Sequence, residues 1–275
     1  MQNYYESNKE KTFSVLLSGG YDSRFVLYLC KDLNIPISRC YTFSLDNKLS
    51  TDATLAKAVC KRENVDLNIV DIPTDSQTLI SIMEELAADY NCIKKTDFEC
   101  VLPLYCLWKN IEEDVILMGT DSDNYFALGK KYALHFKNLP DGLTKYKEHL
   151  WSDPNDGQIQ QKALLDTRYN KQMFDVFNTP QVYDAFKNTA WDELNKPYRK
   201  GPLYCKFSDR YDEIEPYRSS YQCGDSGIRE LCANVLLNSK YNVDGKYKSV
   251  VGCYNEIRRN TNDRTETTHK QLYLC

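Results

Sequence analysis

Short apolar runs alternate with amphipathic stretches over the first half of the chain. Residues 13–17 read F-S-V-L-L, a buried-strand run. Residues 23–32 follow with Phe25, Val26, Leu29 and Leu33 near one helical face, and Pro36 closes that element. The pattern repeats. It predicts strands over 38–45 and 65–72, the second stopped by Pro73, and helices over 52–63, 80–90 and 101–108. Ser50 or Thr51 is placed to cap the helix at 52–63. A fourth strand, V-I-L-M-G, is predicted at 115–119.

Strand alternating with helix at this rhythm implies βαβ units with right-handed crossovers. The expected fold is α/β, a doubly wound parallel sheet with helices on both faces. Ligands in such sheets bind at the carboxyl ends of strands, near the point where strand order reverses. Here those ends fall at residues 18–23, 43–45 and 119–124. After about residue 134 no strong strand run appears. Helical patterns recur at 143–150, 159–169, 181–194 and 227–237, and 197–217 reads as irregular. The expected organisation is a sheet domain over 1–134 and a helical, loop-rich region over 135–275, packed on the carboxyl ends of the sheet.

Composition narrows the class. The chain has 275 residues, 42% hydrophobic and 12% aromatic, which excludes wholesale disorder. No run approaches the ~18 apolar residues of a membrane span, and residues 1–11 are too polar for a secretory signal. A net charge of −4 without a long basic run argues against a dedicated nucleic-acid binder. The 11 cysteines contain no C-x-x-C pair, so thioredoxin-type redox chemistry and paired zinc knuckles are not expected. Reduced, mostly buried thiols in a cytoplasmic protein are.

The sharpest motif is S-G-G-Y-D-S at 18–23, between a predicted strand and a predicted helix. Gly19 and Gly20 let backbone N–H groups converge. The helix N-terminus adds donors and partial positive charge, and the Ser18 and Ser23 hydroxyls add further hydrogen bonds. Together they form a nest of phosphate size. Asp22 would repel a bare phosphate, which points to Mg²⁺ bridging carboxylate and phosphate oxygens. The spacing is neither that of a Walker A loop nor that of G-x-G-x-x-G. A plain strand–helix turn with capping Ser and Asp is the simpler alternative.

S-G-G-x-D-S after an apolar strand resembles the pyrophosphate loop of the N-type ATP pyrophosphatase (PP-loop) superfamily. Y-T-F-S-L at 41–45, then Ser50, Thr51 and Asp52, resembles the asparagine synthetase domain. So does V-I-L-M-G-T-D-S-D-N at 115–124, against that family's V-x-L-S-G-x-G-A-D-E. The resemblance covers roughly residues 12–124. It implies that ATP lies over the first strand, with adenine against backbone near Leu16, Phe43 and Gly119. Ser18, Gly19, Gly20, Tyr21, Asp22 and Ser23 would grip the pyrophosphate. Asp22 and Asp123 would serve as catalytic and Mg²⁺-binding carboxylates. A substrate oxygen would attack the α-phosphate to give an adenylate and pyrophosphate, and an amine would then displace AMP.

Met118 replaces the pattern's serine and Asn124 its final glutamate, and Thr120 stands at the variable position after the glycine, where the family carries a glutamate. The change at Thr120 removes a candidate general base. No nucleophilic cysteine follows Met1, so the amine donor is expected to come from a separate protein, alongside a small-molecule acceptor. A second resemblance is to the 7-cyano-7-deazaguanine synthases, through the same loop and through Cys205 and Y-Q-C-G-D-S-G-I-R at 221–229. Only Cys205 and Cys223 match their zinc ligands, so no zinc is expected. The rival class is a nucleotide-binding regulatory or host-interaction protein without catalysis. Asp121 and Asp123 suit either a cation or amine site or an Asx turn. Lys206, Arg210 and Arg218 are candidates to neutralise pyrophosphate, or plain surface charges, and Arg258, Arg259 and Lys270 read as surface. The Tyr-rich stretch at 198–221 suits either base stacking or packing.

Overall fold

The computed structural model describes residues 1–120, 122–152, 158–218 and 224–272, the last eleven of these as backbone only. A short helix α1 (Gln2–Glu6) precedes β1 (Phe13–Leu16), α2 (Tyr21–Asp32), β2 (Arg39–Leu45), α3 (Thr51–Glu63) and β3 (Leu67–Ile72). Helices α4 (Ser76–Asp89) and α5 (Lys95–Trp108) lead to β4 (Val115–Met118). Then come α6 (Ser122–Tyr125), α7 (Lys130–His135), α8 (Gly142–Ser152), α9 (Ile159–Tyr169) and β5 (Gln172–Asp175). Four short helices follow, α10 (Pro180–Phe186), α11 (Trp191–Asn195), α12 (Gly201–Lys206) and α13 (Ser208–Glu213), and then α14 (Ile228–Leu237). A 3-10 turn (Lys240–Gly245) joins it to α15 (Val250–Leu272).

The five strands form one parallel sheet in the order β3-β2-β1-β4-β5. The chain leaves β1 toward β2 and returns to its other side at β4, where Phe13 stands beside Val115. The order therefore reverses between β1 and β4. Side chains alternate across the sheet. Val15, Cys40 and Leu117 enter one core with Val26, Leu27 and Val59 from α2 and α3. Tyr41, Ile116 and Met118 enter the other with α4, α5, α14 and α15. Burial on both faces explains why these strands read as continuous apolar runs. Residues on both sides of position 134 supply each core: Phe177 and Leu203 join the first, Ile228 and Cys253 the second.

Several local expectations need correction. A fifth strand does exist after residue 134. Its sequence, Q-M-F-D, holds only two apolar residues, enough for an edge strand that pairs on one side. Its start is fixed by the Gln172 N–H to the Asp114 carbonyl at 2.9 Å and the Met173 N–H to Asp166 at 2.7 Å. The stretch 181–194 is two helices. The buried Lys147 ammonium bonds the carbonyls of Phe186 and Thr189, which a continuous helix would have paired internally. The stretch 197–217 contains α12 and α13, whose aromatics pack on α2: Tyr211 lies 5.4 Å from the Tyr28 ring, edge-on. Helix α5 starts before 101, because Asp97 takes the N–H groups of Ile93 and Lys94 and so caps its first turn. Finally, α14 and α15 lie on the sheet face against α4 and α5, not at its carboxyl ends.

Arg24 of α2 anchors the distal segment. It is fully buried, and its guanidinium donates to the Ile214 carbonyl at 2.5 Å and to the Tyr28 hydroxyl at 3.0 Å. It also lies 5.2 Å from the Tyr211 ring centroid. Replacing it leaves buried acceptors without a donor. Arg24→Met is expected to destabilise the protein by about 2–4 kcal/mol, read from the urea midpoint. A midpoint equal to that of the parent would show that the segment is held by other contacts.

Candidate nucleotide site

A cavity of about 380 Å³ opens at the carboxyl ends of β1 and β4. Leu16 and Phe43 form its apolar side together with Tyr41, Leu104 and Leu107. Ser18, Gly20, Tyr21, Asp22 and Ser23 border it from the loop after β1. Gly119, Thr120 and Asp123 border it from the end of β4. Gly19 turns away. Its N–H donates to Asp52 Oδ1 at 2.8 Å, and its carbonyl accepts the Tyr217 N–H at 2.9 Å.

The hydrogen bonds of the loop divide its work. Ser18 and Ser23 are engaged with each other, Oγ to Oγ at 2.9 Å, and the Ser18 N–H donates to Ser23 Oγ at 2.9 Å. These serines shape the loop from within. Gly20 is the N-cap of α2 and offers no side chain to its first turn. The N–H groups of Tyr21, Asp22 and Ser23 have no partner inside the helix, and all three residues border the cavity. Anion-binding capacity is therefore concentrated at these first-turn amides.

Two backbone approaches make the pocket. A Cβ on Gly119 would lie 2.6 Å from the backbone carbon of Asp22, so only glycine lets β4 end against the start of α2. A Cβ on Gly19 would lie 2.7 Å from Leu55 Cβ. Gly20 is different: the nearest atom to an added Cβ is Ser18 Oγ at 3.4 Å. Gly20→Val is thus expected to fold while its side chain obstructs the amides of α2. ATP affinity should fall at least ~10-fold with an unchanged circular dichroism spectrum. Gly119→Ala should instead cost about 1–3 kcal/mol of stability. Parental ATP affinity in a folded Gly20→Val protein would remove the loop from the site.

Asp22 and Asp123 come together, joined by a residue that sequence reasoning missed. Lys200 is 3% exposed in its side chain and contacts Asp22 Oδ1 at 2.6 Å and Asp123 Oδ1 at 2.8 Å. It also bonds Ser122 Oγ at 2.7 Å. Burial alone would raise the Asp123 carboxyl, but the Lys200 ammonium, and then Arg199, outweigh it and hold the group below the usual carboxylate range. Lys200 is itself in the left-handed region at φ 54°, a strained conformation for a lysine. Its sequence signal is slight: a lysine just before the Gly-Pro that opens α12. Of the basic residues singled out from sequence, Lys206 pairs with Asp32 at 2.7 Å, away from the cavity. Arg210 stacks over Tyr28. Arg218 borders the cavity and pairs with Glu215 at 2.9 Å. Asp121 and Cys223 lie outside the described residues, as do the side chains beyond 261, Lys270 included.

Asp22 and Asp123 form an all-oxygen donor pair at the mouth of the anion site. Asp123 is half-exposed, with Lys200 and Arg199 against its Oδ1, and both oxygens of Asp22 accept from Lys200. Two carboxylates beside phosphate oxygens suit a hydrated Mg²⁺. Among the described residues no three His, Cys, Asp or Glu side chains converge as a metal cage, and no helix is long and apolar enough to cross a membrane.

Asp52, at the start of α3, belongs to the stretch that carries the family resemblance, but its contact with the loop at Gly19 was not foreseen. Burial pushes its carboxyl up to about 6. The Gly19 N–H opposes that shift, and the nearby Asp225 carboxylate adds a smaller push upward. The folded protein thus holds this proton more tightly than the unfolded chain. Its stabilising effect is complete below pH ~4 and is lost as pH rises toward 6. Asp52→Asn keeps an acceptor for Gly19 without the charge. Relative to the parent it should gain about 2–3 kcal/mol between pH 4 and pH 7, measured by urea unfolding. A pH-independent difference would mean that Asp52 ionises normally.

The S-G-G-Y-D-S loop, set at the reversal point of a parallel sheet and opening on the N-terminus of α2, is that of the PP-loop class of ATP-using α/β proteins. The asparagine synthase family model matches residues 8–226, and the chain belongs to that family. Comparison with curated proteins gives no match. Among solved structures, the chain is similar to a predicted tRNA methyltransferase subunit from Methanocaldococcus jannaschii, with 13% identity and a TM-score of 0.34. That match covers 64% of this chain and 75% of the other. It is also similar to the U34-tRNA thiolase NcsA from Methanococcus maripaludis, a [4Fe-4S] protein, with 14% identity and a TM-score of 0.31 over 93% and 72% of the two chains.

Proposed function

We propose that the protein is an ATP-dependent ligase that activates an acceptor carboxylate as an adenylate, releases pyrophosphate, and passes the acyl group to an amine with release of AMP. The observation that carries this reading is the placement of the α2 first-turn amides beside the buried Lys200 ammonium. The amides face the place where charge would develop on a departing pyrophosphate, and Lys200, whose N–H groups go to Asp22, Asp123 and Ser122, fixes the two carboxylates beside them. Leu16, Phe43 and Tyr41 provide an apolar wall for a base. Gly119 brings the end of β4 close enough for its backbone to meet the nucleotide. Asp22 and Asp123 would hold Mg²⁺, which supplies charge neutralisation at the phosphates. The acceptor is a small molecule, the amine comes from a separate donor, and the buried free thiols suit the reducing cytoplasm.

Thr120 and Met118 support a second reading, a nucleotide-binding protein without turnover, because both replace residues of the family pattern. One experiment separates the two. With ATP, Mg²⁺ and a panel of acids and amines, anion-exchange chromatography should find AMP and pyrophosphate. Lys200→Met should lower their formation by about 100-fold. ADP with inorganic phosphate as main products would refute the assignment, and ATP binding without any cleavage would establish the second reading.

A further inference from the structure

A second cavity lies on the far side of α5. A groove of about 530 Å³ opens between α4 and α5 beside β3. Pro103, Leu104 and Leu107 of α5 border the nucleotide cavity, whereas Cys106, Lys109 and Asn110 border the groove. With ~3.6 residues per turn, the two sets occupy opposite faces of one helix. Val70, Ile82, Tyr105 and Cys106 are buried and form the floor of the groove. Gln77 and Ser81 of α4 are exposed on its rim, and among the described residues their side chains make no hydrogen bond.

Three charged side chains line the groove, and each has capacity left. The Tyr105 hydroxyl donates to Glu85 Oε2 and accepts from the Lys109 ammonium, both at 2.5 Å. A carboxylate and an ammonium therefore stand on either side of one tyrosine oxygen. Lys109 carries three donors and spends one here, and Glu85 keeps its second oxygen. Asp71 enters from β3. Its Oδ1 accepts both the Ser44 hydroxyl at 2.7 Å and the Asn47 N–H at 2.8 Å, which leaves Oδ2. Among the described residues none of the three charges sits in a salt bridge. Tyr90 and Tyr169 face Glu85, and Arg168 lies near those rings without bordering the groove. Two carboxylates against one ammonium complement a ligand that carries two ammonium groups and one carboxylate.

We infer that the groove between α4 and α5 is a second ligand site, that it takes a basic α-amino acid, and that α5 couples it to the nucleotide cavity. The α-carboxylate meets Lys109 and the α-ammonium meets Glu85, the two groups that Tyr105 holds together. The methylenes cover Val70 and Ile82, and the terminal ammonium meets Asp71. A neutral amino acid leaves one carboxylate of the groove without a cation, and a diamine leaves Lys109 without an anion. The coupling follows from the shared helix. Pro103 removes one hydrogen bond from the ladder of α5 beside the nucleotide cavity, so a shift imposed at Cys106 and Lys109 is felt at Leu104 and Leu107. Such coupling is reciprocal. It rests on the ATP reading of the first cavity, whereas the amino-acid site rests on the groove alone.

Matched ligands test this. Calorimetry on the full chain would compare ornithine and lysine with norvaline and norleucine, which lack the terminal ammonium, and with putrescine and cadaverine, which lack the carboxylate. The better basic amino acid should bind at least ~10-fold more tightly than either of its analogues. Asp71→Asn should erase its advantage over the neutral amino acid, and Lys109→Met its advantage over the diamine. Ser81→Trp, at an exposed rim position, should block the groove to all of them. With the amino acid saturating, affinity for α,β-methylene-ATP with Mg²⁺ should change at least ~5-fold, and the reverse titration should give the same factor. If the parent protein prefers neither basic amino acid, or if the preference survives Ser81→Trp, the site assignment falls. Selection with unchanged nucleotide affinity overturns the coupling and leaves the site. Selection without any binding of the nucleotide analogue overturns the ATP reading, and the coupling with it, while the site stands. The parent panel needs no variant, so a misfolded variant leaves the test intact.

Discussion

A single buried ammonium holds the candidate site together. Lys200 reaches from the N-terminus of α12 to carboxylates at the ends of two different strands, Asp22 after β1 and Asp123 after β4. Removing a charge from water costs several kcal/mol unless partners replace the hydration it loses. Two carboxylates and the Ser122 hydroxyl do so here. The arrangement is mutual. Without Lys200, two acidic groups would face each other at the mouth of an anion site. Without them, the lysine could not be buried. Its left-handed backbone conformation is maintained against an intrinsic penalty of about 1–2 kcal/mol, which shows how firmly its surroundings define it.

The same logic extends outward through hydrogen bonds that join loop to segment. The Gly19 N–H is taken by Asp52 and its carbonyl by Tyr217, so the loop after β1 is clamped between the start of α3 and the residues just after α13. Arg24 then fixes that stretch at Ile214. Asp52 is held in a setting that opposes its own ionisation. Such local cost is common where geometry serves binding before stability. The loop is thereby preorganised, with the α2 amides aimed at the cavity before any ligand arrives.

The cavity carries two kinds of lining. Leu16, Tyr41 and Phe43 give it apolar lining beside β1 and β2, and Thr120, Lys162 and Asp123 are among its polar lining. Gly119 lets the cavity form, because only the absence of its Cβ allows β4 to end against α2. A two-part ligand set, one part flat and apolar and the other small and charged, fits this lining. At the position after Gly119 a threonine hydroxyl joins Lys162 to Asp175.

The sequence by itself determined the sheet, the loop and the family. Apolar runs buried on both faces are unmistakable at β1, β2 and β4, and S-G-G-Y-D-S needs only its strand–helix context to be read as an anion loop. Asp22 and Asp123 were legible because each follows such a strand. The partners of those residues were not. Lys200 and Lys162 carry no periodic or motif signal, and Asp52, though part of the family-like stretch after β2, shows its contact with Gly19 only once α3 is packed beside the loop. The β5 strand escaped notice for a related reason: an edge strand with two apolar residues depends on its neighbour, not on its own pattern, to be a strand. Local chemistry along the chain marks where anions can bind. Which charges meet there, and which hydrogen bonds they have left to give, was decided by tertiary structure, because burial sets the strength of those contacts and only the folded chain sets burial.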